Sequence, residues 1–140
     1  MTARERFAGA RVARLATAGE DGPHIVPIVF AMAGDTIYHA VDHKPKRTTA
    51  LKRLANLEAD PRASLLADAY DEDWERLWWA RADGIARILA PGHEAALELL
   101  CERYTEYRAR PPEGPVVAVD VQRWSAWTAG ALGPGDGAGA

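Results

Sequence analysis

Apolar and polar side chains alternate along several short segments of the chain, which is the pattern of half-buried strands. These segments are Arg11–Thr17, Pro23–Met32, Thr36–Val41, Arg62–Ala69, Arg76–Leu89 and Val116–Thr128. Short turns separate the first three segments, and such connections favour antiparallel pairing. Two residues interrupt the pattern. Pro27 predicts that its part of the strand lies at an edge or next to a bulge or ligand, and Gly84 predicts a bulge or a close approach of another backbone.

Helical spacing replaces this alternation in the rest of the chain. Three leucines at intervals of three residues give one apolar stripe to a helix predicted over Thr48–Glu58. A second helix is predicted between Pro91 and Pro111, and residues 3–9 form one or two helical turns. The elements together predict a mainly β fold, namely a closed or partly closed six-stranded antiparallel barrel with helices packed on its outside.

Length and composition bound the domain organisation. The 140 residues, 48% of them hydrophobic, suffice for one domain, which we place at residues 1–129. Residues 130–140 are mostly Gly, Ala and Pro, and we expect this tail to be disordered because it offers little apolar surface to bury. A net charge of -3 gives no drive toward nucleic acid. The absence of a signal-like or membrane-spanning apolar run predicts a cytoplasmic protein with no membrane partner.

A cationic loop between the third strand and the first long helix is the main candidate binding feature. Lys44, Lys46 and Arg47 supply positive charge, and Thr48 supplies a hydroxyl near the helix N-terminus, where free backbone N–H groups favour an anion. The loop therefore predicts a phosphate site. A solvated lysine-rich turn is the alternative interpretation.

The order of these features resembles a known family. Three meander strands, the Lys-Pro-Lys-Arg loop, a helix ending in Asp60-Pro-Arg-Ala-Ser64, and a strand reading Trp78-Trp-Ala-Arg-Ala-Asp-Gly84 are similar to the split-barrel flavin and deazaflavin oxidoreductases, the superfamily of pyridoxamine 5′-phosphate oxidase. The resemblance covers about residues 5–128. It implies a six-stranded antiparallel split β-barrel with two or three flanking helices, and a homodimer whose cofactor lies at the subunit interface.

The resemblance also implies which residues bind the cofactor. The family's basic loop would place Lys46 and Arg47 on the cofactor phosphate, with Lys44 and Thr48 as helpers. The remaining implied cofactor contacts are the backbone of the second strand at Val26, Pro27 and Ile28, and the fifth-strand residues Arg81 and Gly84. Arg53, farther along the helix, is expected to tolerate alanine without loss of cofactor binding.

The second strand bears on the identity of the cofactor. The flavin-type oxidases that the chain resembles carry basic residues on this strand, whereas Pro23–Met32 has no Lys or Arg. This departure favours the branch that uses the deazaflavin coenzyme F420, which implies hydride transfer to or from a small organic substrate. The alternatives are an FMN-dependent oxidoreductase resembling pyridoxamine 5′-phosphate oxidase, and a non-catalytic protein that binds F420 or a flavin.

Other candidate groups add little chemistry. His24, His39 and His43 lack the spacing of a metal site, so no metal is predicted, and His43 is the one candidate for a proton donor. Trp78 and Trp79 are neighbours in a strand, so one should pack inward and the other outward.

Overall fold

The structure, a computed structural model, describes residues 1–41 and 47–130. The strands are β1 (Ala13–Gly19), β2 (Gly22–Ile28), β3 (Ala31–Ala33), β4 (Thr36–Ala40), β5 (Arg62–Ala69), β6 (Trp78–Leu89) and β7 (Val116–Thr128). The α-helices are α1 (Ala3–Ala8), α2 (Arg47–Ala59), α3 (Glu94–Arg103) and α4 (Thr105–Ala109), and a 3-10 turn covers Trp74–Arg76.

All seven strands belong to one antiparallel sheet in the order β2-β1-β5-β6-β7-β4-β3. The predicted mainly β class is confirmed, whereas the predicted count of six strands was wrong. The two outermost strands, β2 and β3, follow each other along the chain with only Val29 and Phe30 between them. This short connection brings the two edges of the curled sheet close together. No ladder within the described residues pairs β2 with β3, so the barrel is not closed.

Tyr104 explains why the predicted strand Pro23–Met32 breaks into two. Its hydroxyl accepts a hydrogen bond from the Phe30 N–H at 3.1 Å and lies 2.8 Å from the Phe30 carbonyl oxygen. It also lies 3.0 Å from the carbonyl oxygen of Arg11, which precedes β1. Because Tyr104 satisfies the backbone groups of Phe30, this residue needs no strand partner, and the chain can turn there.

The same residue divides the predicted C-terminal helix. Tyr104 has extended backbone angles (φ -120, ψ 121), so α3 ends before it and α4 begins after it. This break gives four α-helices where two or three were expected. No helix in the described part of the chain is long and apolar enough to cross a membrane.

The core lies on the inner face of the curled sheet. On β5 and β6 four of the inward positions are small, since Ala63, Ala67, Ala80 and Ala82 are all buried. The short α1 helix, held by a capping box between Thr2 and Glu5, inserts a fully buried aromatic ring into the space that these alanines leave. This ring is Phe7, which packs 4.9 Å from the Phe30 ring and 5.5 Å from the Trp124 ring.

Gly84 lies at an irregularity in the long β6–β7 ladder. Asp83 pairs with Arg123, but Gly84 pairs with Val121, so Gln122 is an extra residue on β7. A Cβ atom on Gly84 would lie 2.3 Å from the carbonyl oxygen of Asp120. The glycine thus permits a close backbone approach at a bulge, as the sequence predicted.

We predict that Tyr104→Phe destabilises the fold by about 1–3 kcal/mol, because it leaves part-buried backbone groups of Phe30 without their partner. Urea unfolding of the parent and the variant measures this loss. Tyr70→Phe is the matched control, since Tyr70 is 69% exposed and its hydroxyl only accepts a 3.4 Å contact from Trp74. Equal losses in the two variants would contradict the assigned role of Tyr104.

Candidate functional site

The predicted phosphate site can be located only in part. Lys44 and Lys46 lie outside the described residues, as does His43. Arg47 and Thr48 lie in the first turn of α2, as the sequence indicated, but their side chains are outside the described part of the chain. The phosphate contacts of these residues therefore stay predictions.

The second-strand motif lies on β2, at the edge of the sheet. The edge position confirms the prediction made from Pro27, and it leaves one side of the β2 backbone without a neighbouring strand in the described sheet. Ile28 is buried and Val26 packs against the core, whereas Pro27 is exposed. Val26 and Ile28 point their side chains inward, so a ligand at this edge would meet the exposed Pro27 and the outward-facing backbone of the strand.

Arg81 projects from the outer face of β6. Its Nε atom lies 3.3 Å from Oδ2 of Asp83, and its guanidinium lies 5.8 Å from the ring centre of Trp79. Ser64 on β5 donates a hydrogen bond to the other oxygen of the same carboxylate, at 2.6 Å. Arg123 on β7 approaches Asp83 at 3.5 Å. Arg81 is thus oriented by a small polar network on the outside of the sheet.

The strand register relates Arg81 to the second-strand motif. Pro27 pairs with Arg14, Arg14 with Leu66, and Leu66 with Arg81, so all four residues form one row across β2, β1, β5 and β6. Three strand spacings correspond to about 14 Å. Pro27 and Arg81 therefore share a face of the sheet without touching each other.

Gly84 has a structural role that the resemblance did not imply. The atom that approaches its Cα is the Asp120 carbonyl oxygen of the same chain. The glycine is therefore required by the β6–β7 contact whether or not a cofactor binds. It also lines a cleft of about 500 Å³ on the outer face, together with the polar residues Thr17, Asp60, Arg62, Ser64, Asp83, Gln122 and Arg123.

A second, aromatic pocket of about 390 Å³ lies at the other end of β5 and β6. It is lined by Leu66, Asp68, Ala69, Tyr70, Leu77, Trp78, Trp79, Arg81 and Trp127. Trp78 packs partly against the core, whereas Trp79 lies beside Arg81 on the outer face, so the two rings diverge as expected. Leu66 and Asp68 were not among the predicted site residues, although alternation along β5 places both on its outer face with Ser64.

Polar side chains lie buried between α2 and the sheet. Arg53 is only 9% exposed, and the expectation that alanine there would cost little cofactor binding stays a prediction. Asn56, one turn later, is also buried, and its amide donates to the Thr17 hydroxyl at 3.1 Å. A Cβ atom on Gly19 would collide with the Asn56 side chain, so this glycine allows the helix to approach β1. The inward face of α2 is therefore partly polar.

His39 on β4 is the most deeply buried histidine of the described part of the chain. Its residue is 1% exposed, and neither ring nitrogen has a hydrogen-bond partner. Burial, together with the positive charge of Arg53, lowers the pKa of His39 from its ordinary 6.5 to about 3. Burial likewise lowers the pKa of Arg53. His39 is therefore neutral at physiological pH and is unsuited to donate a proton there.

Comparison with known proteins identifies the family. A family model described as pyridoxamine 5′-phosphate oxidase matches residues 2–128. The chain belongs to this family. Membership confirms the split-barrel resemblance and leaves the F420 branch undecided. No curated protein sequence matches the chain.

Solved structures share the fold of this family member at low sequence identity. A conserved hypothetical protein of Mycobacterium tuberculosis matches with TM-score 0.73 and 24% identity, over 92% of this chain and 86% of that one. A FAD-binding protein of Mesorhizobium loti matches with TM-score 0.67 and 19% identity, over 89% and 90% of the two chains. A heme-binding protein of Mycobacterium smegmatis matches with TM-score 0.72 and 22% identity, over 94% of this chain but 53% of its own.

The burial of His39 predicts a loss of stability in acid. Because the folded state holds the pKa of His39 below its unfolded value, the unfolded state binds the extra proton more readily. The contribution of neutral His39 to the free energy of unfolding is complete above about pH 6.5 and declines as the pH falls toward 3. This free energy then changes by at most about 1.4 kcal/mol per pH unit. We expect His39→Leu to flatten this slope, measured by urea unfolding between these limits. An unchanged slope would contradict the assignment.

Proposed function

We propose that the protein is an oxidoreductase that transfers a hydride between the deazaflavin coenzyme F420 and a small organic substrate. The family membership supports a site for a tricyclic cofactor, and the observation that carries the choice of cofactor is the character of β2. This strand is at the sheet edge, and the outward side chains Pro23, Ile25 and Pro27 are exposed and uncharged. An edge backbone flanked by apolar side chains suits a planar ring that takes hydrogen bonds at its carbonyls.

The cofactor, when bound, supplies the hydride chemistry itself, so the protein has to bind, orient and exclude water. In this proposal Lys46 and Arg47 bind the phosphate group, with Lys44 and Thr48 as helpers. The backbone of Val26, Pro27 and Ile28 lines the ring. Arg81, oriented by Asp83, offers a positive charge to the same ligand. His43 is the candidate proton donor.

FMN is the second candidate cofactor. The FAD-binding protein of Mesorhizobium loti has the same fold, which favours a flavin over the deazaflavin. A non-catalytic protein that binds F420 or a flavin is the alternative in a different class. The heme-binding protein of Mycobacterium smegmatis, which is named for binding and not for a reaction, has the same fold and supports this alternative. Turnover of the bound cofactor separates an enzyme from a binding protein.

We predict that F420 binds more tightly than FMN, because β2 carries no Lys or Arg for a flavin-type contact. Parallel titrations of the purified full-length protein, followed by cofactor fluorescence, measure the two affinities. Equal affinities or a preference for FMN would contradict the F420 assignment while leaving the family intact.

The phosphate site has a test of its own. Lys46→Ala and Arg47→Ala should each weaken cofactor binding by roughly ten- to a hundredfold, since each removes a charge-assisted hydrogen bond worth about 1.5–3 kcal/mol. Arg47→Ala should have the larger effect, because a guanidinium can bind two phosphate oxygens. Lys52→Ala is the matched control on the same helix, as Lys52 pairs with Asp21 at 2.9 Å. Parent-like binding by both variants, or losses explained by unfolding, would refute the site.

We also propose that the protein is a homodimer that shares its cofactor sites. Within one chain Pro27 and Arg81 lie about 14 Å apart on an open face, so a second copy is needed to enclose a ligand between them. The same face exposes Ile25 by 65% and Trp127 by 37%, and a second copy would cover such apolar surface. Light scattering at micromolar concentration should report a dimer, and a monomer would contradict this proposal.

A further inference from the structure

The junction between α3 and α4 contacts both chain segments at the open end of the β1–β2 hairpin. Tyr104 accepts a hydrogen bond from the Phe30 N–H at 3.1 Å, and its hydroxyl lies 3.0 Å from the Arg11 carbonyl oxygen. Arg103 donates to the carbonyl oxygen of Ala10, and its guanidinium lies 4.7 Å from the centre of the Phe30 ring. Two consecutive residues thus bind the chain shortly before β1 and shortly after β2. We call Arg103 and Tyr104 the hairpin clamp.

The two ends of this hairpin are held in different ways. At the closed end a two-residue turn joins the strands, and Asp21 of this turn pairs with Lys52 of α2 at 2.9 Å. At the open end the last paired residue of β2 is Ile28, and within the described sheet β2 has a neighbouring strand on one side only. The hairpin clamp therefore holds the end of β2 that its own ladder leaves least supported.

The hairpin clamp also connects the two edges of the open barrel. The helix α3 packs on the β3–β4 side, because Leu100 is buried in one cluster with Ala31 and Ala40. The strand β2 is the opposite edge in the strand order. A movement of the clamp would therefore change the position of β2 relative to β3 and β4.

The guanidinium of Arg103 suits this connecting role better than the role of a surface charge. It pairs with no carboxylate among the described residues, and partial burial lowers the pKa of Arg103. Arg11 supports the clamp, since it donates to the Arg103 carbonyl oxygen at 3.0 Å and lies 4.8 Å from the Tyr104 ring centre. A planar guanidinium can bind a carbonyl oxygen and cover an aromatic ring together, whereas a lysine ammonium acts as a point charge.

We propose that Arg103 and Tyr104 are positioning residues for the cofactor. The hairpin clamp holds Phe30 and so sets the angle at which the open backbone edge of β2 meets the ring, while neither clamp residue contacts the cofactor. Releasing the clamp lets the end of β2 leave its binding-competent position for part of the time, and the apparent affinity falls with the competent fraction. The inference rests on the proposed function, because it takes β2 as the strand that lines the ring.

Ligands with and without a phosphate test this role. F420 is paired with the ribityl deazaflavin that lacks its phosphate, and FMN is paired with riboflavin, in fluorescence titrations of the full-length protein. Tyr104→Phe removes the hydroxyl that binds Phe30. It should weaken both members of the pair that the parent binds by a similar factor, roughly three- to tenfold, as expected when one hydrogen bond holds the competent position. A loss confined to the phosphate-bearing ligand would overturn the inference.

A spectrum at saturation separates positioning from stability. Protein hydrogen bonds to the ring tune its electronic properties, so the visible absorption maximum of the bound cofactor should shift in Tyr104→Phe. Val119→Ala is the matched control, because Val119 is fully buried in the core and its strand pairs with β4 and β6 and not with the hairpin. At a temperature where all variants are folded, this control should keep the parent's affinities and spectrum.

The second clamp residue has its own pair of variants. Arg103→Met keeps an apolar stem but loses every donor, so it should weaken both ligands of the pair. Arg103→Lys retains a donor for the Ala10 carbonyl oxygen and should recover part of this loss. Tyr104→Phe decides the outcome if Arg103→Met fails to fold.

Hydrogen exchange at the Phe30 amide shows whether Tyr104→Phe has released the hairpin clamp. Faster exchange there, combined with parent-like affinities and spectrum, would overturn the inference and leave the proposed function intact. Unchanged exchange would also contradict it, because the hydroxyl would then not hold this backbone. A parent protein that binds neither F420 nor FMN refutes the proposed function and the inference with it.

Discussion

The ladder between β6 and β7 connects the two halves of the sheet. β5 pairs with the first part of β6, and β4 pairs with the first part of β7, so every other strand reaches its place through these two. The ladder needs Gly84, because the Asp120 carbonyl oxygen occupies the space of a side chain there. At the same point Gln122 is inserted into β7, which resets the register for the remaining pairs.

That register determines which side chains share the outer face. Beyond the bulge, Trp79 faces Trp127 and Arg81 faces Ser125, and through β5 the same rows continue to Asp68 and Leu66. A shift of one residue in β7 would turn Trp127 inward, since side chains alternate along a strand. The place of Trp127 in the aromatic pocket is therefore a consequence of the bulge beside Gly84. The edge strand β2 borders this face. Within the described sheet one side of its backbone has no neighbouring strand, and the strand carries no Lys or Arg.

Features set by local chemistry could be predicted from the sequence. Pro27 indicated an edge and Gly84 a bulge, because each restricts its own backbone in a way that few contexts accept. Features set by contacts between distant segments could not. The breaks after Ile28 and before Tyr104 depend on one hydroxyl that joins residues far apart in the chain. The burial of Arg53 was missed because the leucines alone defined the apolar stripe, whereas the helix buries its polar residues Arg53 and Asn56 along with Leu57.

Hydrogen exchange along β2 tests most directly whether the edge strand is the cofactor platform. The amides of β2 that do not bond to β1 face the open edge, so they should exchange rapidly in the free protein. Saturation with F420, and in parallel with FMN, should slow exchange at Ile25. The pairing of Gly19 with Gly22 across a two-residue turn places the N–H groups of Val26 and Ile28 on the β1 side, and Pro27 has no N–H. Protection confined to other strands, with β2 exchanging as in the free protein, would contradict the account.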